Sequence, residues 1–199
     1  SSSSAIYGVP RVPNISEDHG LFPSNPYSAS KAAADTICQA YGKTYKVPVT
    51  ILRPSTLYGP YQSQTQFIPT VILQTLTSPI IKLGSLNATR DFCYVKDVAA
   101  AFLLAGATEK SRGEVFNISS GISVRLSEVV DKILEITKRH VLIETKLLPR
   151  PEDSTCMFVI NSSKARNILG WSPKCDLDFG LRDTIDFFCS QGVLGKQRG

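Results

Sequence analysis

Tyr27 and Lys31 are the residues whose types and spacing most directly suggest chemistry. They lie four positions apart, so on a helix they share one face. An ordinary tyrosine has a pKa of about 10 and is a poor base at neutral pH, but a neighbouring ammonium lowers that pKa by stabilising the phenolate. Such a phenol can exchange a proton with a sugar or alcohol hydroxyl. A serine run upstream, residues 1–4, could bring a hydroxyl alongside to orient the same substrate group.

The residues around this pair predict the helix that it needs. Asn25 is a natural N-cap and Pro26 suits the first helical position, so we expect a helix over residues 27–45. Pro48 ends that helix, and a short buried strand is predicted over 48–53. The Gly59-Pro60 pair then predicts a loop at the carboxyl end of the strand, where α/β sheets bind ligands.

The rest of the chain continues to alternate between helical and extended patterns. Helices are predicted over 67–76, 98–107 (with Asp97 as its N-cap), 126–138, 162–169 (ended by Gly170) and 177–189, and extended segments over 80–83, 90–95, 114–118 and 141–147. This alternation predicts an α/β fold with a parallel sheet and, in the more irregular later part, a second small lobe.

Composition excludes several classes of function. The 199 residues carry a net charge of +5 without a basic stripe or nucleic-acid motif, so no nucleic-acid partner is expected. Five scattered cysteines form no C-x-x-C pair, and with two histidines the sequence predicts no metal site. Without a run of 18 apolar residues, no membrane association is expected, and a reduced, cytoplasmic setting is the simplest account.

Taken together, these residues resemble the extended short-chain dehydrogenase/reductase family, the NAD-dependent nucleotide-sugar epimerases and dehydratases. The similarity lies in short motifs that follow one another in the family's order, at residues 1–8, 26–31, 52–60, 90–98, 116–121, 150–151, 163–165 and 169–173. It implies a Rossmann-like parallel sheet with a small α/β substrate-binding lobe, NAD as the cofactor and a nucleoside-diphosphate sugar as the substrate.

The resemblance also implies a role for individual residues. Ser3 matches the family's catalytic Ser/Thr, Tyr27 its base, and Lys31 the lysine that lowers the pKa of the base and binds the nicotinamide ribose. Ser4, offset by one, is the weaker candidate for the hydroxyl, and the plain alternative is that these serines only cap the end of a strand.

Further positions match the cofactor and substrate contacts of the family. The backbone around Pro54 and Ser55 corresponds to the segment that faces the nicotinamide amide. Arg90 and Arg150 match two arginines that hold the diphosphate, a role that suits the planar guanidinium. For either arginine, a surface ion pair is the alternative. Outside these roles, Trp171 is expected in the core or an interface.

Two departures from the family pattern bear on the reaction. Thr56 stands where many relatives carry an asparagine that contacts the substrate. The dehydratases follow the catalytic hydroxyl with Asp-Glu, but Ser4 and Ala5 occupy those positions here. Neither side chain can act as the acid or base of a dehydration, so the sequence favours an epimerase, with a 4,6-dehydratase as the alternative.

The Gly-rich turn that binds the dinucleotide pyrophosphate in this family does not occur in the sequence. The chain is therefore expected to correspond to the C-terminal three-fifths of a complete enzyme and to bind NAD weakly alone. We expect residues 1–60 to be the remnant of the Rossmann domain, and 61–199 to be mainly the substrate-binding lobe, with residues 90–118 returning to the sheet.

The expected partner of the polypeptide is a second copy of itself, as a homodimer, or the missing N-terminal half. Two alternatives to an enzyme remain open at this point. The chain could be a non-catalytic module that still binds the nucleotide sugar, or an inert fragment whose folding depends on a partner.

Overall fold

The computed structural model describes residues 1–9, 12–145 and 159–191. These residues form two compact units. Unit 1 contains Ser1–Leu57, Asp91–Ser123 and the described residues up to Lys174; unit 2 contains Tyr58–Arg90 and the described residues that follow Val124 and Cys175. Parallel strands and helices occur in both units, so the predicted α/β class is confirmed.

Each helix and extended segment predicted from the sequence has a counterpart among the described elements, and four further short strands are present. In chain order the elements are the 3-10 helix η1 (Ser4–Tyr7), β1 (Asn14–Ile15), α1 (Pro26–Tyr45), β2 (Ile51–Pro54), β3 (Thr56–Tyr58), α2 (Phe67–Thr77), β4 (Ile80–Leu83), β5 (Thr89–Tyr94), α3 (Val95–Ala107), the 3-10 helix η2 (Glu109–Ser111), β6 (Val115–Ile118), β7 (Ser123–Arg125), α4 (Leu126–Thr137), β8 (Leu142–Thr145), β9 (Val159–Ile160), α5 (Ser163–Leu169) and α6 (Leu177–Ser190).

Helix α1 begins where its capping residues predict. The Asn25 side chain accepts a hydrogen bond from the Ser28 backbone N–H at 2.9 Å, and the Ser28 hydroxyl accepts one from the Asn25 N–H at 3.1 Å. Pro26 occupies the first turn, where its missing N–H costs nothing. The helix ends at Tyr45, and Lys46 then adopts a left-handed conformation with φ of 57°.

The centre of unit 1 is the parallel pair of β2 and β6, in register from Ile51 opposite Val115 to Pro54 opposite Ile118. Every residue of β2 is buried. Helices α3 and α5 complete the core around this pair, and its largest side chain, Trp171, is 2% exposed. Trp171, expected in the core or an interface, lies in the core.

Unit 2 is a small lobe of three mutually packed helices, α2, α4 and α6, with the parallel strand pair β4 and β8. Helix α6 approaches Tyr58 so closely that a Cβ at Gly180 would lie 2.1 Å from the Tyr58 hydroxyl. A side chain at this position of the helix would have to displace the buried ring of Tyr58. Across the described residues of both units, the structure contains no helix that is long and apolar enough to cross a membrane.

Several sequence predictions need correction. Asp97 does not cap α3, because the helix already starts at Val95. Its carboxylate instead accepts a hydrogen bond from the Lys174 N–H at 3.1 Å, and its carbonyl accepts one from the Trp171 indole at 2.8 Å. The strand expected over 48–53 starts at Ile51. A further short strand, β3, forms at Thr56–Tyr58, and the loop predicted from Gly59-Pro60 follows it.

Candidate active site

Tyr27 and Lys31 lie in the first two turns of α1, on one face, as their spacing predicts. Tyr27 is 58% exposed. Lys31 is half-buried, and its Nζ donates a hydrogen bond to the Ser1 carbonyl at 3.4 Å. The lysine therefore reaches from α1 to the serine run.

Ser3 stands at the N-cap of η1, where its hydroxyl accepts a hydrogen bond from the Ala5 N–H at 3.2 Å. The capping role considered from the sequence is thus real, although the capped element is a 3-10 helix. Helix η1 packs directly on α1, where Ala32 joins Ile6 and Tyr7 in a buried cluster. The structure thereby brings the serine run and the Tyr27–Lys31 helix together.

The carboxyl end of β2 carries Pro54 and Ser55. The Ser55 N–H donates to the Ile118 carbonyl at 2.8 Å, which extends the pairing of β2 with β6 by one residue. The Ser55 hydroxyl donates to the carboxylate of Asp91 at 3.1 Å. Thr56, the next residue, is half-buried at the start of β3.

Asp91 holds this end of the sheet through several neutral donors. Besides the Ser55 hydroxyl, it accepts hydrogen bonds from the Ser120 N–H at 3.0 Å, the Ser120 hydroxyl at 2.8 Å and the Gly121 N–H at 3.2 Å. Burial raises the pKa of Asp91 above its ordinary value, and these hydrogen bonds only partly oppose that rise. Sequence reasoning did not single out this carboxylate.

A second buried polar network, centred on Arg53, was also missed. Arg53 donates from Nε and Nη2 to the two carboxylate oxygens of Asp35 at 2.9 and 3.0 Å, and from Nη1 to the Tyr7 hydroxyl at 2.9 Å. Burial alone would raise the pKa of Asp35, but the hydrogen bonds from Arg53 and Gln39 outweigh it and hold the pKa below its ordinary value. Burial raises the pKa of the Tyr7 phenol despite the nearby charge of Arg53.

The sequence does carry a signal for this network. Arg53 stands at the end of a short apolar strand, and an arginine is almost never fully buried without a partner. A buried arginine at that position predicts a carboxylate partner elsewhere in the fold. Spacing alone could not identify Asp35, which lies 18 residues away on another element.

Of the two arginines predicted to hold a diphosphate, Arg90 is half-buried and donates from Nη1 to the Thr89 carbonyl at 2.8 Å. Arg150 lies outside the described residues. Within those residues, no group of three or more His, Cys, Asp or Glu side chains is arranged to hold a metal ion.

The family of the chain follows from a comparison with known proteins. Residues 1–184 match the family described as GDP-mannose 4,6 dehydratase. The chain belongs to this family. The predicted resemblance to the extended short-chain nucleotide-sugar epimerases and dehydratases is therefore confirmed.

Relatives of this family member include both dehydratases and epimerases. The chain is 31% identical to dTDP-glucose 4,6-dehydratase 1 of Escherichia coli, over 93% of its own length and 53% of that protein. A crystal structure of dTDP-glucose 4,6-dehydratase from Bacillus anthracis in complex with NAD superposes with a TM-score of 0.87 at 30% identity, covering 96% of this chain and 61% of the other.

A UDP-glucuronic acid 4-epimerase from Bacillus cereus, in complex with UDP-glucuronic acid and NAD, superposes almost as well. Its TM-score is 0.86 at 28% identity, covering 96% of this chain and 60% of the other. The chain thus spans about half to three-fifths of the lengths of these relatives. The fold is that of the family, and the likeness does not separate the two reactions.

Proposed function

We propose that this chain carries the proton-transfer residues and the sugar-binding lobe of an NAD-dependent enzyme that acts on a nucleoside-diphosphate sugar. The main observation behind the proposal is that α1 lies against the segment that contains the serine run, residues 1–4, in a chain that belongs to this family. Lys31 contacts the Ser1 carbonyl, and the Ser2 N–H donates to the Leu52 carbonyl of β2 at 2.8 Å. The candidate hydroxyl, phenol and ammonium therefore lie on neighbouring segments of unit 1.

In this proposal, Tyr27 accepts the proton of a sugar hydroxyl, Lys31 stabilises the phenolate that does so, and Ser3 orients the hydroxyl. NAD, which Tyr27, Lys31 and the backbone around Pro54 and Ser55 would hold, would supply reversible hydride transfer at the same sugar carbon. The proton returns from Tyr27 when the carbonyl is reduced again. Presentation of the opposite face of the sugar carbonyl to the same hydride source would invert that centre, and all atoms of the sugar would be retained.

The described residues fit the nicotinamide end of such a cofactor. Tyr27 is exposed, Lys31 lies on the same helical face, and Pro54 and Ser55 lie at the carboxyl end of β2, the end of a strand at which α/β sheets bind ligands. Arg90 and Arg150 are assigned to the diphosphate of the sugar nucleotide, and Thr56 to the sugar side.

Epimerisation is the reaction that we favour within this class. Elimination of water from the sugar needs an acid and a base besides the tyrosine, and the family's dehydratases supply them directly after the catalytic hydroxyl. Here Ser4 and Ala5 occupy the start of η1, whose first turn contains no acidic residue. Removal and return of a hydride need neither group.

A 4,6-dehydratase is the second candidate, supported by the names of relatives such as the Escherichia coli and Bacillus anthracis proteins. The two reactions differ in their products. An epimerase yields an isomer of equal mass, whereas a dehydratase yields a keto-deoxy sugar that is lighter by one water. Mass spectrometry of the product formed by the complete enzyme from UDP-, dTDP-, GDP- and CDP-sugars distinguishes them.

The test of the proton-transfer assignment uses two tyrosines of the same helix. In the complete enzyme, Tyr27→Phe should reduce kcat by about 100-fold or more, the contribution of a positioned general base, while sugar-nucleotide binding stays largely intact. Tyr41→Phe, at another exposed position of α1, is the matched control and should leave kcat unchanged. Turnover that survives Tyr27→Phe would show that another group is the base.

The non-catalytic alternative has its own test on this chain. Thermal stabilisation by a sugar nucleotide that disappears in Arg90→Ala, but not in the exposed-site control Arg112→Ala, supports diphosphate binding by the lobe. An absence of any shift across the four nucleotides would favour an inert fragment.

A further inference from the structure

The guanidinium of Arg53 contacts each of the segments that lead to the candidate proton-transfer residues. We propose that Arg53 is a positioning residue: it fixes η1, α1 and the loop at Glu17 in one arrangement around β2. The expected effect of Arg53 on catalysis rests on the proposed function. The contacts themselves lie within unit 1 and do not depend on it.

The contact with α1 is on the face that carries the candidate base. Tyr27, Lys31 and Asp35 follow one another at intervals of four residues, so they form a single stripe along the helix. Arg53 binds both carboxylate oxygens of Asp35, one turn beyond Lys31. A bidentate pair of this kind fixes direction as well as distance, because two parallel hydrogen bonds define a plane.

The remaining guanidinium nitrogen reaches the other segments. Nη1 donates to the hydroxyl of Tyr7, the last residue of η1, at 2.9 Å, and to the carbonyl of Glu17 at 3.0 Å. The Tyr7 hydroxyl in turn donates to the Asn117 side chain on β6 at 2.7 Å. The 3-10 helix that Ser3 caps is therefore tied to the same cation as the helix that carries Tyr27.

Because these side chains are buried, their hydrogen bonds are difficult to replace. The side chains of Arg53 and Asp35 are 4% and 0% exposed, so solvent cannot replace a lost hydrogen bond. A lysine at position 53 would provide the charge but not the planar fork, and could not serve Asp35, Tyr7 and Glu17 together. Arg53 also immediately precedes Pro54 and Ser55, so its anchoring extends to the segment assigned to the nicotinamide.

The experiment compares variants of the complete enzyme. Arg53→Lys should lower kcat by about 100-fold, the expected effect of a misplacement of about 1 Å, with KM for the sugar nucleotide little changed. Arg112→Lys, at an exposed arginine paired with Glu109, is the matched control and should leave both constants unchanged. Tyr7→Phe removes only one contact of Arg53, and should lower kcat by less than Arg53→Lys.

A second measurement is independent of any sugar. Amide hydrogen exchange of Arg53→Lys should quicken in η1 and in the first turns of α1, and remain unchanged in β4 and β8 of unit 2. An inactive wild-type enzyme would contradict the proposed function, and exchange would then decide the positioning role alone. Wild-type kcat in Arg53→Lys, or unchanged exchange in η1 and α1, would overturn the inference. If Arg53→Lys does not fold, the same two outcomes apply to Tyr7→Phe.

Discussion

Asp35 and Asp91 are two buried carboxylates of unit 1 with opposite kinds of partner. Asp35 faces the guanidinium of Arg53, which binds both of its oxygens. The described partners of Asp91 are neutral donors, the Ser55 hydroxyl and groups of Ser120 and Gly121. The pKa of Asp35 lies below its ordinary value because the guanidinium and the other hydrogen bonds outweigh the effect of burial, and the pKa of Asp91 lies above it because burial outweighs the neutral donors.

The two carboxylates illustrate two ways in which a buried side chain can link elements of the fold. A charge pair ties elements strongly but leaves a buried charge behind when one partner is lost. A carboxylate surrounded by hydroxyl and amide donors ties elements through several weaker bonds, and the loss of one leaves the others in place. Asp35 connects α1 with β2, whereas Asp91 accepts hydrogen bonds from the loop that follows β6.

Asp35→Asn should have the largest effect on stability. The substitution leaves Arg53 buried beside an amide, so we expect the free energy of unfolding to fall by about 3–5 kcal/mol. Guanidinium chloride unfolding followed by the fluorescence of Trp171, the single tryptophan of the sequence and a core residue of unit 1, measures this loss. A loss below about 1 kcal/mol would show that the pair contributes no more than a surface ion pair.

Asp91→Asn should destabilise unit 1 less. The amide oxygen can retain the Ser55 and Ser120 hydrogen bonds, while the amide NH₂ faces the Gly121 N–H and leaves it unpaired. We expect a loss of about 1–3 kcal/mol, the cost of one unsatisfied buried donor. The same Trp171 fluorescence experiment measures it. If Asp91→Asn proved more destabilising than Asp35→Asn, the contrast drawn between the two carboxylates would be wrong.

The losses of stability caused by Asp35→Asn and Asp91→Asn should depend on pH with opposite signs. Asp35, with its lowered pKa, stabilises the fold above pH 3.8, the ordinary value, and loses that contribution as the pH falls through its folded-state pKa. Asp91, with its raised pKa, contributes below 3.8 and loses that contribution as the pH rises through its folded-state pKa. The stability difference between the wild type and each variant, measured from about pH 3 to 7, should therefore shrink towards acid for Asp35→Asn and towards neutral for Asp91→Asn. Slopes of equal sign would contradict the assigned shifts.

The smallest effect on stability is expected for the substitution of an exposed carboxylate. Asp178 accepts a hydrogen bond from Arg182 Nε at 2.8 Å across one turn of α6, a geometry as short as that of the buried pair. Both side chains are well exposed, so water and salt replace the interaction. Asp178→Asn should leave the midpoint of thermal unfolding unchanged by circular dichroism, and a clear shift would show that geometry outweighs burial here.

Local signals allowed the prediction of much of this fold. The Asn25-Pro26 pair specifies the start of α1, and Gly170, with φ of 66°, ends α5 as expected. Both depend on residues adjacent in sequence. Asp97 was misassigned as a cap because its partners, Trp171 and Lys174, lie more than 70 residues away along the chain.

The candidate site also contains residues that local sequence predicts and residues that it does not. The spacing of Tyr27 and Lys31 is local, and their shared helical face was predictable from it. The buried partners that position them are not local. Arg53 meets Asp35 and Tyr7 only after β2, α1 and η1 have packed, so no motif contains the three residues.

The close approach of α6 to Tyr58 links two distant positions of unit 2 in evolution as well as in space. The Tyr58 hydroxyl and ring occupy the volume that a side chain at position 180 would need. Glycine lowers the intrinsic stability of a helix by about 1 kcal/mol relative to alanine, yet alanine at position 180 would have to displace the buried ring of Tyr58. Alanine is therefore favoured at 180 once a smaller residue replaces Tyr58, so we expect substitutions at the two positions to occur in that order.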